Sequence, residues 1–250
     1  MTTILIVESN PAGYPQVASE FVMVLQAIDD TTDIRIVSPY EAPVTRSDLQ
    51  AVDGAIFTGS AVSWGVDAPE AAPLRAAMEQ VFDEGIPAYG SCNGMQLAAC
   101  LLGGISAPSP NGREDGLARE VQLTEAGRVH PFLKGRQTGF TVPCIHRDEV
   151  TRLPKGAVLL AGNAHSPVQA FAYDNGNIRF WGVQYHPEIT LAAMADILDE
   201  IGGYPQSLRD DLRLAETDAG AARRLGAAPG DLQPDQRVTE IRNWFNSLSA

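Results

Sequence analysis

The sequence predicts an α/β protein, with a doubly wound, mostly parallel central sheet, helices on both faces and a helical C-terminal appendage. Three observations predict it. Short β-branched runs alternate with helix-length amphipathic stretches through the first hundred residues, the pattern of repeated β-α units. The runs are apolar on both faces, as buried parallel strands require. After Gly202-Gly203-Tyr204-Pro205, a breaker, the texture becomes polar and helical to the end.

In chain order, Ile4–Val7 is the first strand, and residues 15–29 carry apolar positions at helical spacing. Ile34–Val37 and Ala55–Phe57 are the next strands. A helix over 70–84 and a strand over Ile86–Tyr89 follow, and then a helix from Met95 to Leu102. Between 105 and 184 the strand candidates are Glu120–Leu123, Gly139–Cys144, Ala157–Ala161, Val168–Tyr173 and Ile178–Gln184. Asp174-Asn175-Gly176-Asn177 marks a hairpin turn between the last two. Ile189–Ile201 reads as a helix. Residues 1–202 are thus expected to form one domain and 203–250 an extension packed on it or at an interface. The extension is interrupted at residues 227–230, and its apolar anchor is Ile241, Trp244, Phe245 and Leu248.

Composition narrows the function. The 250 residues include 44% hydrophobic and 20% charged side chains, ordinary values for a globular protein. The net charge is −13, and no Lys/Arg cluster appears, which argues against nucleic-acid binding and against docking on an anionic membrane. No apolar stretch approaches the ~20 residues of a membrane span. Met1-Thr2-Thr3 enters a strand without a basic leader, so a cytoplasmic protein is expected. Three cysteines without a Cys-x-x-Cys pair suit neither a disulfide framework nor a thiolate metal site. No phosphate-loop motif is present, and no cofactor or metal is expected.

Gly90-Ser91-Cys92-Asn93-Gly94 stands at a strand-to-helix junction and reads as a nucleophile elbow. The helix after Cys92 aims its first amides at the sulfur, a setting that favours the charged form of a thiol. Taken alone, the segment is equally a glycine-rich turn with a buried free cysteine. A second segment, Gly182-Val183-Gln184-Tyr185-His186-Pro187-Glu188, shifts the balance. Pro187 biases His186 to extended geometry, and residues i and i+2 of an extended segment share a side. Glu188 can therefore orient the His186 imidazole, and the imidazole can take a proton from Cys92.

These two segments resemble the signatures of class I (triad-type) glutamine amidotransferases, whose fold is flavodoxin-like. Ile56-Phe57-Thr58-Gly59-Ser60 matches the family's oxyanion loop, Cys144-Ile145-His146-Arg147-Asp148 its histidine-aspartate segment, and Pro167–Phe171 the strand before the hairpin. The likeness covers about residues 1–200. It implies catalysis by Cys92, His186 and Glu188, with an oxyanion hole formed by amides of Asn93 and of Gly59 or Ser60. It also implies substrate contacts from Gln96 and His146. Two plainer readings stand beside these: Gln96 as a satisfied helix residue, and His146 as a cap on the Asp148-Glu149 turn. Where the family usually has Gly-Gly-Pro, this chain has Gly59-Ser60-Ala61. The implied substrate is glutamine or a small γ-glutamyl compound. Because no synthetase or pyrophosphatase motif follows, the ammonia or amine acceptor is either water or a separate synthetase. The appendage is a candidate surface for a homodimer or a partner. A non-catalytic regulatory protein of the same fold is the remaining alternative.

Overall fold

The computed structural model describes residues 1–248. The parallel half of the sheet is built first, from β1 (Thr3–Val7), α1 (Ala18–Ile28), β2 (Asp33–Val37), α2 (Arg46–Leu49), β3 (Gly54–Phe57), α3 (Ala72–Asp83), β4 (Ala88–Ser91) and α4 (Asn93–Leu101). Every residue of β1, β3 and β4 is buried, which accounts for their unalternated apolar sequences. β4 starts two residues later than the apolar run suggests. Pro87 has no N–H to donate to a ladder, and the Ile86 N–H closes the preceding turn onto the Val81 carbonyl. Helix α1 lacks a capping side chain of its own. Its first amides, Val17 and Ala18, donate instead to the buried Glu8 carboxylate just beyond β1, each at 2.8 Å.

The second half comprises β5 (Ile105–Pro108), β6 (Glu114–Leu123), α5 (Glu125–Val129), β7 (Phe140–His146), β8 (Asp148–Arg152), β9 (Val158–Gly162), β10 (Ala170–Asn175) and β11 (Ile178–Val183). The nine-stranded sheet has the order β2-β1-β3-β4-β11-β10-β9-β6-β7. Strands β2, β1, β3, β4 and β11 are mutually parallel, and the remaining pairings are antiparallel. The β10–β11 hairpin turns at Gly176, whose φ of 62° suits glycine. β5 and β8 form a separate two-stranded ribbon.

The chain ends with α6 (Leu191–Ile201), α7 (Gln206–Leu214), α8 (Ala219–Arg224), α9 (Pro234–Arg237) and α10 (Thr239–Ser247). Among the described residues, the polar extension is therefore four short helices. Ile241, Trp244 and Phe245 of α10 are buried, with Leu248 against them, in one core with Phe21, Tyr89 and Phe132. Helix α7 packs on α6 and α8 on α7, in one cluster with Leu198, Leu212, Ala221 and Leu225. Among the described residues, no helix is long and apolar enough to cross a membrane.

Candidate functional site

Parallel strands end at one edge of a sheet, and loops beyond their carboxyl ends gather there. Here β1, β3, β4 and β11 deliver four short segments to that edge: Glu8–Asn10, Thr58–Ser60, Cys92 and Gln184–Glu188. The turn at Cys92 is sharp. The residue has φ 49° and ψ −103°, a conformation that an L-residue adopts only at a cost of about 1–3 kcal/mol. The backbone of α4 packs so closely that a Cβ on Gly94 would lie 2.3 Å from the Phe57 carbonyl oxygen. One on Gly90 would lie 2.6 Å from the Gly94 carbonyl carbon. The glycines on either side of Cys92 thus let strand and helix meet backbone to backbone.

The sequence-predicted trio meets at this edge. The His186 Nδ1 is 2.7 Å from Glu188 Oε1. The His186 Nε2 is 3.2 Å from the Ile145 carbonyl oxygen, and Cys92 Sγ lies 3.8 Å from the same oxygen, so ring and sulfur converge on one point. All three side chains are buried. Burial works against a charge on His186. The Glu188 carboxylate and the Cys92 sulfur outweigh it and raise the imidazole well above the ordinary histidine value. A sulfur, a ring and a carboxylate in this order suit proton transfer from thiol to imidazole.

Two neighbours complete the arrangement, and sequence reasoning gave neither a role. The Ser91 hydroxyl lies 2.9 and 3.1 Å from the two Glu188 oxygens, and the Gln184 amide donates to Cys92 Sγ at 3.5 Å. Both occur inside the quoted motifs; the signal was their adjacency to Cys92 and His186.

The Gly59–Ser60 segment lies beside this cluster. A Cβ on Gly59 would sit 2.7 Å from His186 Cε1 and 3.8 Å from Cys92 Cβ, so the Gly59 backbone rests against the ring and near the Cys92 side chain. Ser60 turns away from them. Its hydroxyl binds the Ser9 carbonyl at 3.1 Å and Asn10 Oδ1 at 2.9 Å, and the Ala61 N–H donates to the same Asn10 oxygen at 2.9 Å. Asn93 is the first residue of α4, where backbone N–H groups have no intrahelical acceptor.

Gln96 and His146 are more deeply engaged. The Gln96 amide donates to the Asp148 carbonyl at 2.7 Å and to Gln184 Oε1 at 3.2 Å. The His146 Nδ1 is 3.0 Å from the Asp148 carbonyl, and its Nε2 is 3.0 Å from Glu114 Oε2. Glu114, unmarked in the sequence, is the hub of a buried network. It also accepts from Asn163 at 2.6 Å and from Gln169 at 2.7 Å. Burial opposes its charge, but these donors win and hold the carboxyl below its usual value. Glu114, Cys144 and His146 place one potential ligand atom each within 4.8 Å of one another, and hydrogen bonding within the network already engages all three. Burial pushes the Cys144 thiol well up, with the Glu114 charge adding to it, and burial raises Cys100 as well.

Comparison with known proteins gives the family. The model of the class-I glutamine amidotransferase family matches residues 29–200. A γ-glutamyl-L-1-hydroxyisopropylamide hydrolase from a Pseudomonas species is 39% identical over 161 residues, which are 63% of this chain and 54% of that protein. A glutamine-hydrolysing GMP synthase from Symbiobacterium thermophilum is 36% identical over 156 residues, which are 62% of this chain and 28% of the synthase. The match thus spans about half the length of the hydrolase and under a third of the synthase. Among solved structures, a glutamine amidotransferase of Thermotoga maritima superposes with a TM-score of 0.68 at 17% identity, covering 99% of this chain and 97% of that one. A glutamine amidotransferase of Methylobacillus flagellatus gives 0.62 at 20% identity, covering 99% and 91%. The structural likenesses carry the fold and the family model carries the membership: this chain belongs to the class-I glutamine amidotransferases.

Proposed function

We propose that this protein hydrolyses a small γ-glutamyl amide by itself, through a thioester on Cys92. The observation that carries the chemistry is the buried Cys92–His186–Glu188 cluster, with His186 held at 2.7 Å from Glu188. Cys92 Sγ attacks the γ-carbonyl carbon after His186 takes its proton. The carbonyl oxygen becomes an oxyanion facing the amides of Asn93 and of Gly59 or Ser60, donors worth about 3–4 kcal/mol each in other hydrolases. The C–N bond then breaks, and His186 returns the proton to the departing amine. Water, deprotonated by His186, attacks the thioester, which releases a γ-carboxylate and restores the thiol. Gln96 and His146 serve this reading by shaping the substrate side of the site.

The alternative is a glutaminase subunit that hands ammonia to a separate synthetase, a reading suggested by the likeness to GMP synthases. One observation favours the stand-alone enzyme. The oxyanion loop is tied within the chain by Ser60, Ala61 and Asn10, and so does not depend on a partner to order it. Steady-state kinetics of the purified protein on glutamine and on several γ-glutamyl alkylamides tests the proposal. Turnover of at least one alkylamide is expected, with kcat/KM about tenfold or more above that for glutamine, the scale a fitted apolar pocket supplies. Negligible turnover of every compound would assign the chain to a partnered or binding role.

A further inference from the structure

The C-terminal extension reaches the loop that carries His186 and Glu188 at three separate points. Before that loop's histidine, the Tyr185 hydroxyl donates to Glu240 Oε1 at 2.9 Å. Between histidine and glutamate, the Arg237 guanidinium donates to the Pro187 carbonyl. After the glutamate, the Leu191 amide, at the start of α6, donates to Glu216 Oε1 at 3.2 Å. All three partners follow residue 200, where the family match ends.

We infer that Glu216, Arg237 and Glu240 are positioning residues for the candidate catalytic loop, so that the extension is part of the active-site scaffold.

The inference rests on the proposed function for what the loop does, and on geometry for what holds it. Glu240 is itself fixed by a two-pronged pair with Arg136, at 2.7 and 2.8 Å, both side chains being essentially inaccessible. The same guanidinium donates to the Arg237 carbonyl at 3.1 Å, which links two of the three holders. Apolar packing by Ile241, Trp244 and Phe245 suffices to dock a helix. Burying charges adds a desolvation cost, and here each buried charge ends on the catalytic loop or on another holder. Burial pushes the Arg237 guanidinium down, against the charges of Glu216, Glu188 and Glu20, and its Nε lies 3.7 Å from Glu216 Oε1. Its removal would free the Pro187 carbonyl. From the domain itself, the loop backbone receives the His186 N–H to Pro143 carbonyl bond at 2.8 Å and the Ser91 hydroxyl at 3.2 Å on the Tyr185 carbonyl. Neither bond, nor the turn that the Ile189 N–H closes on the His186 carbonyl at 3.2 Å, engages the Pro187 carbonyl, which is where Arg237 acts.

The test uses the full chain with Arg237→Met, which keeps an unbranched apolar stem and removes the guanidinium with its donors and its charge. Two readouts are followed. One is kcat against KM on the preferred γ-glutamyl amide. The other is the rate at which iodoacetamide alkylates Cys92, which needs no substrate and so stands even if the proposed activity fails. The expected result is a fall in kcat of about tenfold or more with KM within about twofold, as loss of alignment produces. The alkylation rate should fall toward that of His186→Ala. Wild-type kcat and alkylation in a folded Arg237→Met protein, or a change confined to KM, would overturn the inference. Should that variant not fold, Tyr185→Phe deletes one hydroxyl oxygen, cuts the link to Glu240 and is read in the same way.

Discussion

Cys92→Ala and His186→Ala should each lower turnover of a γ-glutamyl amide by about four to six orders of magnitude, the range seen when a nucleophile or its base is removed from an acyl-transfer enzyme. The two losses should not add, because ring and sulfur act as one unit converging on the Ile145 carbonyl. Glu188→Gln should cost less and leave measurable activity, since in the proposed mechanism Glu188 orients the imidazole and supports its charge without exchanging a proton with substrate. Its effect should still exceed that of an exposed carboxylate, because the 2.7 Å contact to Nδ1 is buried and fixes which nitrogen faces the thiol. A glutamine-analogue electrophile should label Cys92 alone. Cys144 is buried beside the Glu114 charge, and burial raises Cys100, so both remain thiols. Peptide mapping after labelling and kcat for the three variants check these outcomes. Labelling that persists in Cys92→Ala would remove the sulfur from the reaction.

The largest effect on stability is expected from Trp244→Ala. The indole is 2% exposed and packs against Tyr89 at a centroid distance of 5.8 Å, beneath the site-bearing strands. It also closes over Gly54 of β3, where even a Cβ would approach the ring to 2.9 Å. Truncating such a side chain in a filled core costs about 3–5 kcal/mol, the lost transfer energy plus the cavity left behind. Denaturant unfolding should show a shift of that size. Because α10 is one side of the core that also holds Phe21 and Phe132, the extension and the sheet should unfold in a single transition. Two transitions, or a shift below about 1 kcal/mol, would mean that the extension is a separately stable appendage.

The sequence was most readable where local chemistry and fold agree. The β1, β3 and β11 runs are apolar and β-branched or aromatic, and the Asp174–Asn177 turn announces its hairpin through Gly176. Cys92 was legible because a strained elbow needs glycines close by, and Glu188 because it follows His186 by two residues. The structure joins the two through a turn that the Ile189 N–H closes on the His186 carbonyl at 3.2 Å, not through the extended segment expected. What could not be read was set by tertiary approach. β5 and β8 are short, and they alternate too weakly to stand out from loops. Glu114 meets His146 from 32 residues away, and Ser91 meets Glu188 across 97. Neither spacing has a period that a pattern can reveal. The apolar anchor of the extension showed in the sequence as a helical stripe. Arg237, Glu216 and Glu240 did not, because a buried charge and a surface charge look alike until the partner is known.

The central claim, a γ-glutamyl thioester on Cys92, is tested most directly by trapping it. The purified chain is mixed with the preferred γ-glutamyl amide, quenched in acid within the turnover time, digested and analysed by mass spectrometry. The account predicts a γ-glutamyl adduct confined to the peptide that carries Cys92, formed with release of one equivalent of amine and absent from Cys92→Ala. Amine release at the wild-type rate by Cys92→Ala, or an adduct on any other residue, would contradict it.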